Sequence, residues 1–374
     1  MNNIIIYNHD IVRYPPILSL IESLYENGEH VEIIGFCSSE IQLQGFKKRG
    51  INYFETFNNK TQDSKLKKLF NLIKYKKTVY TLIKKRYNED SVIWLYGNQN
   101  AWLLYKLVYK FKCVLYLFEI PSFKVNFRYK LLSPRLNYKW MMQKAYKVVC
   151  SEYNRAKITQ AYFGLKETPA IIPNKPNYSF EVSDNDKVKE VKKIIPIGKK
   201  IILYQGIFNQ PERRLNELCE SIEHLSDDFI ICIMGEESSE KKNLQEKYSS
   251  ERVIFLPFLP APLHLQITRI AYIGFLSYFS EVMNIENALN TLYCAPNKTF
   301  EYSMFGIPMI SNDLPSLKLS FEEFKSGIVS KNFTPRGIAE SVLTIDENYT
   351  SFQNGSREFF ESINISHLYM DIIR

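Results

Sequence analysis

Cys294-Ala-Pro-Asn-Lys-Thr-Phe-Glu-Tyr-Ser-Met-Phe-Gly-Ile-Pro-Met-Ile-Ser311 decides how this chain is read. The spacing predicts one short helix between a loop and a buried strand. Pro296 and Asn297 open it, since proline tolerates a first helical turn and asparagine can cap free amides. Gly306 closes it, and Pro308 prevents continuation. Free amides around Lys298 and Thr299, with the helix dipole behind them, favour an anion such as a diphosphate. Glu301 lies about one turn further in, where a carboxylate can accept two hydrogen bonds from a vicinal diol. A diphosphate beside a diol is what a nucleotide sugar presents. An ordinary, well-capped helix before a strand would carry the same spacing, so the rest of the chain has to discriminate.

Outward from this stretch, apolar strand-like runs alternate with helical ones along the whole chain, the pattern of doubly wound α/β sheets. Strands are expected at Ile4–Tyr7, Val31–Phe36, Val92–Tyr96, Cys113–Phe118, Val148–Cys150 and Ala170–Pro173. Helices are expected from Pro15 to Gly28 and over about 62–87, 99–111, 126–146 and 153–163. Residues 176–200 turn polar and read as a linker. A second alternation runs through Ile201–Gly206, Phe229–Gly235, Val253–Phe258, Ile273–Tyr278 and Pro308–Ser311. Helices near 335–345, 355–363 and 366–374 follow. The division expected is 1–180, 181–355 and a helical segment 356–374 able to cross back to the first domain.

The totals agree with two soluble domains: 374 residues, 45% hydrophobic and 24% charged. No run reaches the roughly 18–20 apolar residues that span a bilayer, and Met1-Asn-Asn-Ile-Ile-Ile-Tyr7 lacks the basic start of a signal peptide. A cytoplasmic location is expected. The cysteines Cys37, Cys113, Cys150, Cys219, Cys232 and Cys294 form no CxxC pair, and buried free thiols are expected. The five histidines are scattered, which argues against a metal site. Residues 1–180 hold 28 Lys and Arg against 13 Asp and Glu, a net +15, while the remainder carries −7. A basic first half suits an anionic partner surface; no nucleic-acid-binding module is apparent.

Asn297-Lys-Thr-Phe-Glu-Tyr302 followed by Gly306-Ile-Pro-Met-Ile310 resembles the donor-site signature of the GT-B glycosyltransferases, specifically the retaining family 4 (glycosyl transferases group 1). The resemblance extends over the whole chain; Ile171-Ile-Pro-Asn-Lys-Pro176 is similar to the family's inter-domain exit. It implies two Rossmann-like domains facing across a central cleft, with the donor bound by the second. Glu301 would hold the ribose, and the helix start would cradle the pyrophosphate. In Gly206-Ile-Phe-Asn-Gln-Pro-Glu-Arg-Arg-Leu215 the glycine lets backbone approach the ligand, and Arg213, ahead of Arg214, matches the family's basic contact to the diphosphate. Gly235 would lie against the donor and Phe258 would line the base pocket. Donor binding is thus expected at Gly206, Arg213, Gly235, Phe258, Asn297, Lys298, Thr299 and Glu301. In the first domain Asn8, His9, Asp10, Arg13 and Glu119 would face the acceptor. Catalytic roles are expected for Glu119, Asp10, Arg213 and Lys298, with no metal and no cofactor beyond the nucleotide-sugar donor.

Two departures stand out. Family 4 members often carry a glutamate eight positions before Glu301, where this chain has Tyr293 at the end of an asparagine-rich loop, 281–294. A His-Glu pair common in the first domain is Phe118-Glu119 here. The expected function is transfer of a sugar, UDP-sugar favoured, to a lipid-linked glycan or cell-surface (capsule-type) polysaccharide acceptor, retaining and metal-independent. A nucleotide-sugar 2-epimerase and a catalytically silent subunit of a glycan-assembly complex are the alternatives. The basic, aromatic stretches Lys65–Arg86 and Tyr129–Lys147 lead us to expect peripheral contact with an anionic membrane's inner face.

Overall fold

The structure, a computed structural model, describes residues 1–56, 64–177, 185–208, 212–281 and 284–374. Two compact units divide it: Met1–Tyr178 together with Asn364–Arg374, and Ser179–Ile363. The first unit is a seven-stranded parallel sheet of β1 (Asn2–Asp10), β2 (His30–Phe36), β3 (Asn52–Glu55), β4 (Ser91–Tyr96), β5 (Cys113–Leu117), β6 (Lys147–Cys150) and β7 (Ala170–Ile171). Its order is β3-β2-β1-β4-β5-β6-β7. Helices cover both faces, so each strand feeds two cores: Ile4 and Ile6 enter one, Ile5 and Tyr7 the other. Double burial explains why these strands read as unbroken apolar runs. The helix Ile365–Ile373 completes one face, with Tyr369 edge-on to Trp94 at 6.4 Å and donating to the Pro16 carbonyl at 3.0 Å.

The second unit is a six-stranded parallel sheet of β8 (Lys200–Gln205), β9 (Phe229–Met234), β10 (Val253–Leu256), β11 (Ile273–Phe275), β12 (Met309–Asn312) and β13 (Gly327–Ser330). The order β10-β9-β8-β11-β12-β13 reverses direction at β8. In open α/β sheets, ligands bind at the carboxyl ends of strands where the order reverses. Ile201 and Leu203 enter one core, Ile202 and Tyr204 the other.

Several expectations need correction. The supposed linker contains the helix Asp186–Ile194, whose Val188 and Val191 are buried in the second unit's core; residues 178–184 lie outside the described residues. The helices expected over 99–111 and 126–146 each break in two, giving Asn98–Leu103, Tyr105–Lys110, Phe127–Leu132 and Tyr138–Lys144. The asparagine-rich loop holds the helix Ile285–Leu292, which buries no residue; Val282 and Met283 lie outside the description. The helix Tyr349–Glu361 packs in the second unit. All six cysteines are free and buried, and no helix among the described residues is long and apolar enough to cross a membrane.

Candidate functional site

The exits of β8 and β9 are built from two glycines in contact. Gly206 donates its N–H to the Met234 carbonyl at 2.9 Å. A Cβ on Gly235 would stand 2.0 Å from the Gly206 carbonyl oxygen and 2.6 Å from Phe208 Cε2. Gly206 has φ +153°, and a Cβ there would meet Lys298 Cε at 2.8 Å and Nζ at 3.0 Å. Lys298 therefore lies directly over bare backbone. A residue it missed secures this floor: buried Lys241 donates to the carbonyls of Gly235 (3.1 Å) and Leu256 (2.9 Å) and to Glu237 Oε1 (2.5 Å). It ties the exits of β9 and β10 together.

Across from the glycines stands the helix Asn297–Ser303. Pro296 is its N-cap residue and Asn297 the first helical residue, with no side chain capping the end. That corrects the expected asparagine cap: a residue inside the first turn cannot fold back onto the amides that follow it. Gly306, at φ +67°, ends the turn beyond, and Ile307 N–H donates to the Tyr302 carbonyl at 3.1 Å. Tyr302 fixes the helix to the sheet by donating to the Leu203 carbonyl at 2.8 Å, with its ring against Gly274. Thr299 is buried, and among the described residues its Oγ1 has no hydrogen-bond partner.

Glu301 projects from this helix to the end of β8. Its Oε2 accepts from Gln205 Nε2 at 2.7 Å, and His264 Nε2 lies 3.5 Å from the same oxygen. Burial pushes the Glu301 carboxyl up, but His264, Lys298 and the Gln205 amide outweigh it and hold the pKa below the ordinary value. Lys298 is shifted the other way for a base: desolvation and nearby Arg213 lower its pKa against the upward pull of Glu301. The side chain of Arg213 lies 4.7 Å over the Tyr278 ring. Arg214, the N-cap residue of the helix Leu215–Ser221 at φ +40°, lies 3.9 Å over Phe279. Glu301, Lys298 and Arg213 thus form one electrostatic group, while Arg214 serves the turn. Asn209–Pro211 lie outside the described residues. Phe258 is exposed just past β10, and its neighbour Leu259 fills the core. Tyr293 is the C-cap residue of the helix Ile285–Leu292.

In the first unit, parallel strands bring the exits of β1 and β5 to one edge. His9, Arg13 and Glu119 are exposed there and Asn8 is buried. Asp10, expected as a catalytic group, is instead engaged by structure. Its Oδ1 accepts from the amides of Val12 (3.4 Å) and Ser38 (3.1 Å), and its Oδ2 from the Ser38 hydroxyl (2.5 Å). It anchors the exit of β1 to that of β2. Phe118, which stands in place of the missing histidine, stacks on Tyr14 at 5.1 Å and Tyr96 at 5.4 Å, and Tyr7 joins it to the ring of His9.

The basic stretches expose apolar residues. In the helix Lys65–Arg86, Leu72, Tyr75, Val79 and Ile83 face the core, yet Leu66 and Phe70 are 80% and 65% exposed. Phe127 (82%) and Leu131 (63%) are exposed on the helix Phe127–Leu132, and Trp140 (40%) on Tyr138–Lys144. Lys76 belongs to the interior instead, donating to the Leu132 carbonyl at 2.7 Å.

No family model matches the chain, and no curated protein matches it in sequence. Solved structures do match along its length. Sucrose-phosphate synthase from Thermosynechococcus elongatus superposes with a TM-score of 0.68 at 12% identity, covering 100% of this chain and 96% of that one. Anabaena HepE in complex with UDP-glucose gives 0.66 at 12% identity, covering 100% and 98%. A UDP-N-acetylglucosamine 2-epimerase assigned in Listeria monocytogenes gives 0.61 at 10% identity, covering 96% and 90%. With two parallel Rossmann-like sheets and matches spanning nearly the whole of both chains, this chain has the GT-B fold.

Proposed function

We propose that the protein is a glycosyltransferase using a nucleoside-diphosphate sugar, with UDP-sugar favoured. One observation carries this reading: at the reversal point of the second sheet, a carboxylate and two cations converge over paired glycines. Ribose hydroxyls suit Glu301, and diphosphate oxygens suit Lys298 and Arg213. The fold supports it too, since HepE is described with UDP-glucose bound. In the reaction the bond between the sugar's anomeric carbon and the β-phosphate oxygen breaks, and the acceptor oxygen bonds to that carbon. The acceptor's proton passes to the departing phosphate, so a strong protein base is unnecessary. Lys298 and Arg213 stabilise the charge that develops on the leaving group, which requires no metal and is compatible with retention. His9, Arg13 and Glu119 are the acceptor-side groups of the first unit.

The acceptor proposed is a lipid-linked glycan or a growing cell-surface polysaccharide at an anionic membrane's inner face. The net +15 of residues 1–180 and the exposed Leu66, Phe70, Phe127, Leu131 and Trp140 on basic helices favour that location. The likeness to the Listeria epimerase favours a 2-epimerase as the second reading. Titration with UDP, GDP and ADP tests the donor site, since ligand at about 100 times its Kd adds about 2.7 kcal/mol of stability. No stabilisation by any of the three would overturn the reading. Sugar released as a free epimer without an acceptor would select the epimerase.

A further inference from the structure

The carboxylate of Glu301 is held asymmetrically. Both near donors, Gln205 Nε2 at 2.7 Å and His264 Nε2 at 3.5 Å, address Oε2. The torsion that turns a carboxylate is soft and broad, so a glutamate without such contacts would present either oxygen at many angles. Two donors on one oxygen remove that freedom and leave Oε1 as the acceptor facing away.

The donors are themselves fixed. Gln205 is buried at the end of β8, where its amide has two orientations of equal shape. Thr268, fully buried in the short helix Leu265–Thr268, donates from Oγ1 to Gln205 Oε1 at 2.7 Å. The Glu301 carboxylate can only accept, so the amide turns its NH₂ group toward it and leaves Oε1 to the Thr268 hydroxyl, which also lies 3.2 Å from the His264 carbonyl. His264 precedes the same helix, and among the described residues its buried Nδ1 has no partner. The imidazole tautomer with hydrogen on Nε2 leaves no N–H unsatisfied and aims that hydrogen at Glu301. Lys298, on the same helix as Glu301, acts on it through its charge, and Arg213, in the loop before the helix Leu215–Ser221, acts on Lys298.

We infer that His264, Gln205 and Thr268 are positioning residues that set the ribose-reading geometry of Glu301, separately from diphosphate binding. This rests on the donor-site reading above. It predicts that their loss removes discrimination between ribose and a sugar lacking its hydroxyls, and spares affinity for the diphosphate.

The test uses whichever of UDP, GDP or ADP binds the wild type tightest, its 2′,3′-dideoxy analogue, and inorganic pyrophosphate. Wild type is expected to prefer the ribonucleotide about tenfold or more, the size of a charged hydrogen bond. His264→Phe and Thr268→Val should bring that preference toward unity with pyrophosphate affinity unchanged, which also certifies the fold. His264→Gln, which retains a side-chain N–H donor, should restore much of the preference. Thr268→Val is nearly isosteric and keeps the test open if His264→Phe fails to fold. A wild type that binds no nucleotide overturns the donor-site reading itself. A wild type that binds and discriminates, with variants that discriminate equally, overturns the positioning role alone.

Discussion

Replacing Gly235 by alanine tests the floor of the site most directly. The new Cβ would stand 2.0 Å from the Gly206 carbonyl oxygen and 2.6 Å from Phe208 Cε2, where ordinary contact begins at 3.4 Å. Phe208 can turn away; the carbonyl cannot. Gly206 is tied by its N–H to Met234, and Gln205 stands in register with Met234 on the β8–β9 ladder. Relief requires opening that bond, about 0.5–1.5 kcal/mol net, on top of about 1–3 kcal/mol for overpacking. A loss of about 2–4 kcal/mol lowers the melting temperature by roughly 4–16 °C in a unit of this size. The displaced loop also carries the seat of Lys298, so UDP affinity of the folded variant should fall. Thermal unfolding and calorimetric titration read the two effects. Gly45→Ala is the control: it lies in the helix Glu40–Lys48 with nothing within 4 Å of its Cβ, and it should stabilise by about 0.5–1 kcal/mol. A Gly235→Ala protein that melts with the wild type and binds UDP equally would refute the close approach.

Four further outcomes are expected. Glu301→Ala should weaken UDP binding by about 1.5–3 kcal/mol, roughly 10- to 150-fold, by calorimetry; unchanged affinity removes Glu301 from the donor site. Because the free Lys298 pKa is depressed and a bound diphosphate raises it, binding takes up a proton at pH values between the two. UDP affinity should therefore fall as pH rises through the depressed lysine value, and a flat alkaline profile would contradict that linkage. Transfer activity should survive EDTA, and loss reversed by Mg²⁺ or Mn²⁺ would overturn the metal-free mechanism. Binding to anionic vesicles should fall with salt, after charge reversal at exposed Lys77, Lys84 and Lys85, and after Leu66→Ser with Phe70→Ser. Equal sedimentation with neutral vesicles would count against it.

What the sequence disclosed followed the physics of burial. Strands covered on both faces leave long apolar runs, so β4, β5, β8 and β9 were legible to within a residue, and β1 in its apolar middle although it runs on to Asn2 and Asp10. β3 was not, because its four residues lie at a sheet edge and none is fully buried. The helix Asp186–Ile194 hid for a related reason: Val188 and Val191 are its only buried residues, a thin stripe in a charged segment. Gly206, Gly235, Lys298 and Glu301 sit in motifs whose residues are neighbours in sequence. Gln205, Thr268 and His264 escaped because their partners are far along the chain, Gln205 and Glu301 being 96 positions apart. A faint signal existed: Gln205 is a polar residue ending an apolar strand, and His264 sits between Leu263 and Leu265.

The helix Ile365–Ile373 belongs to the first unit although the whole second unit intervenes in sequence. The second unit is one continuous segment and has all its partners once Ile363 has been made. The first has an open face until Tyr369 reaches Trp94 and Pro16, and Ile365, Met370, Ile372 and Ile373 seal the adjoining core. During synthesis the order of completion is therefore reversed: the segment translated later can settle before the one translated earlier. Until then, apolar surface of the half bearing the basic helices stays uncovered, the state in which a nascent chain is most prone to associate with whatever apolar surface it meets.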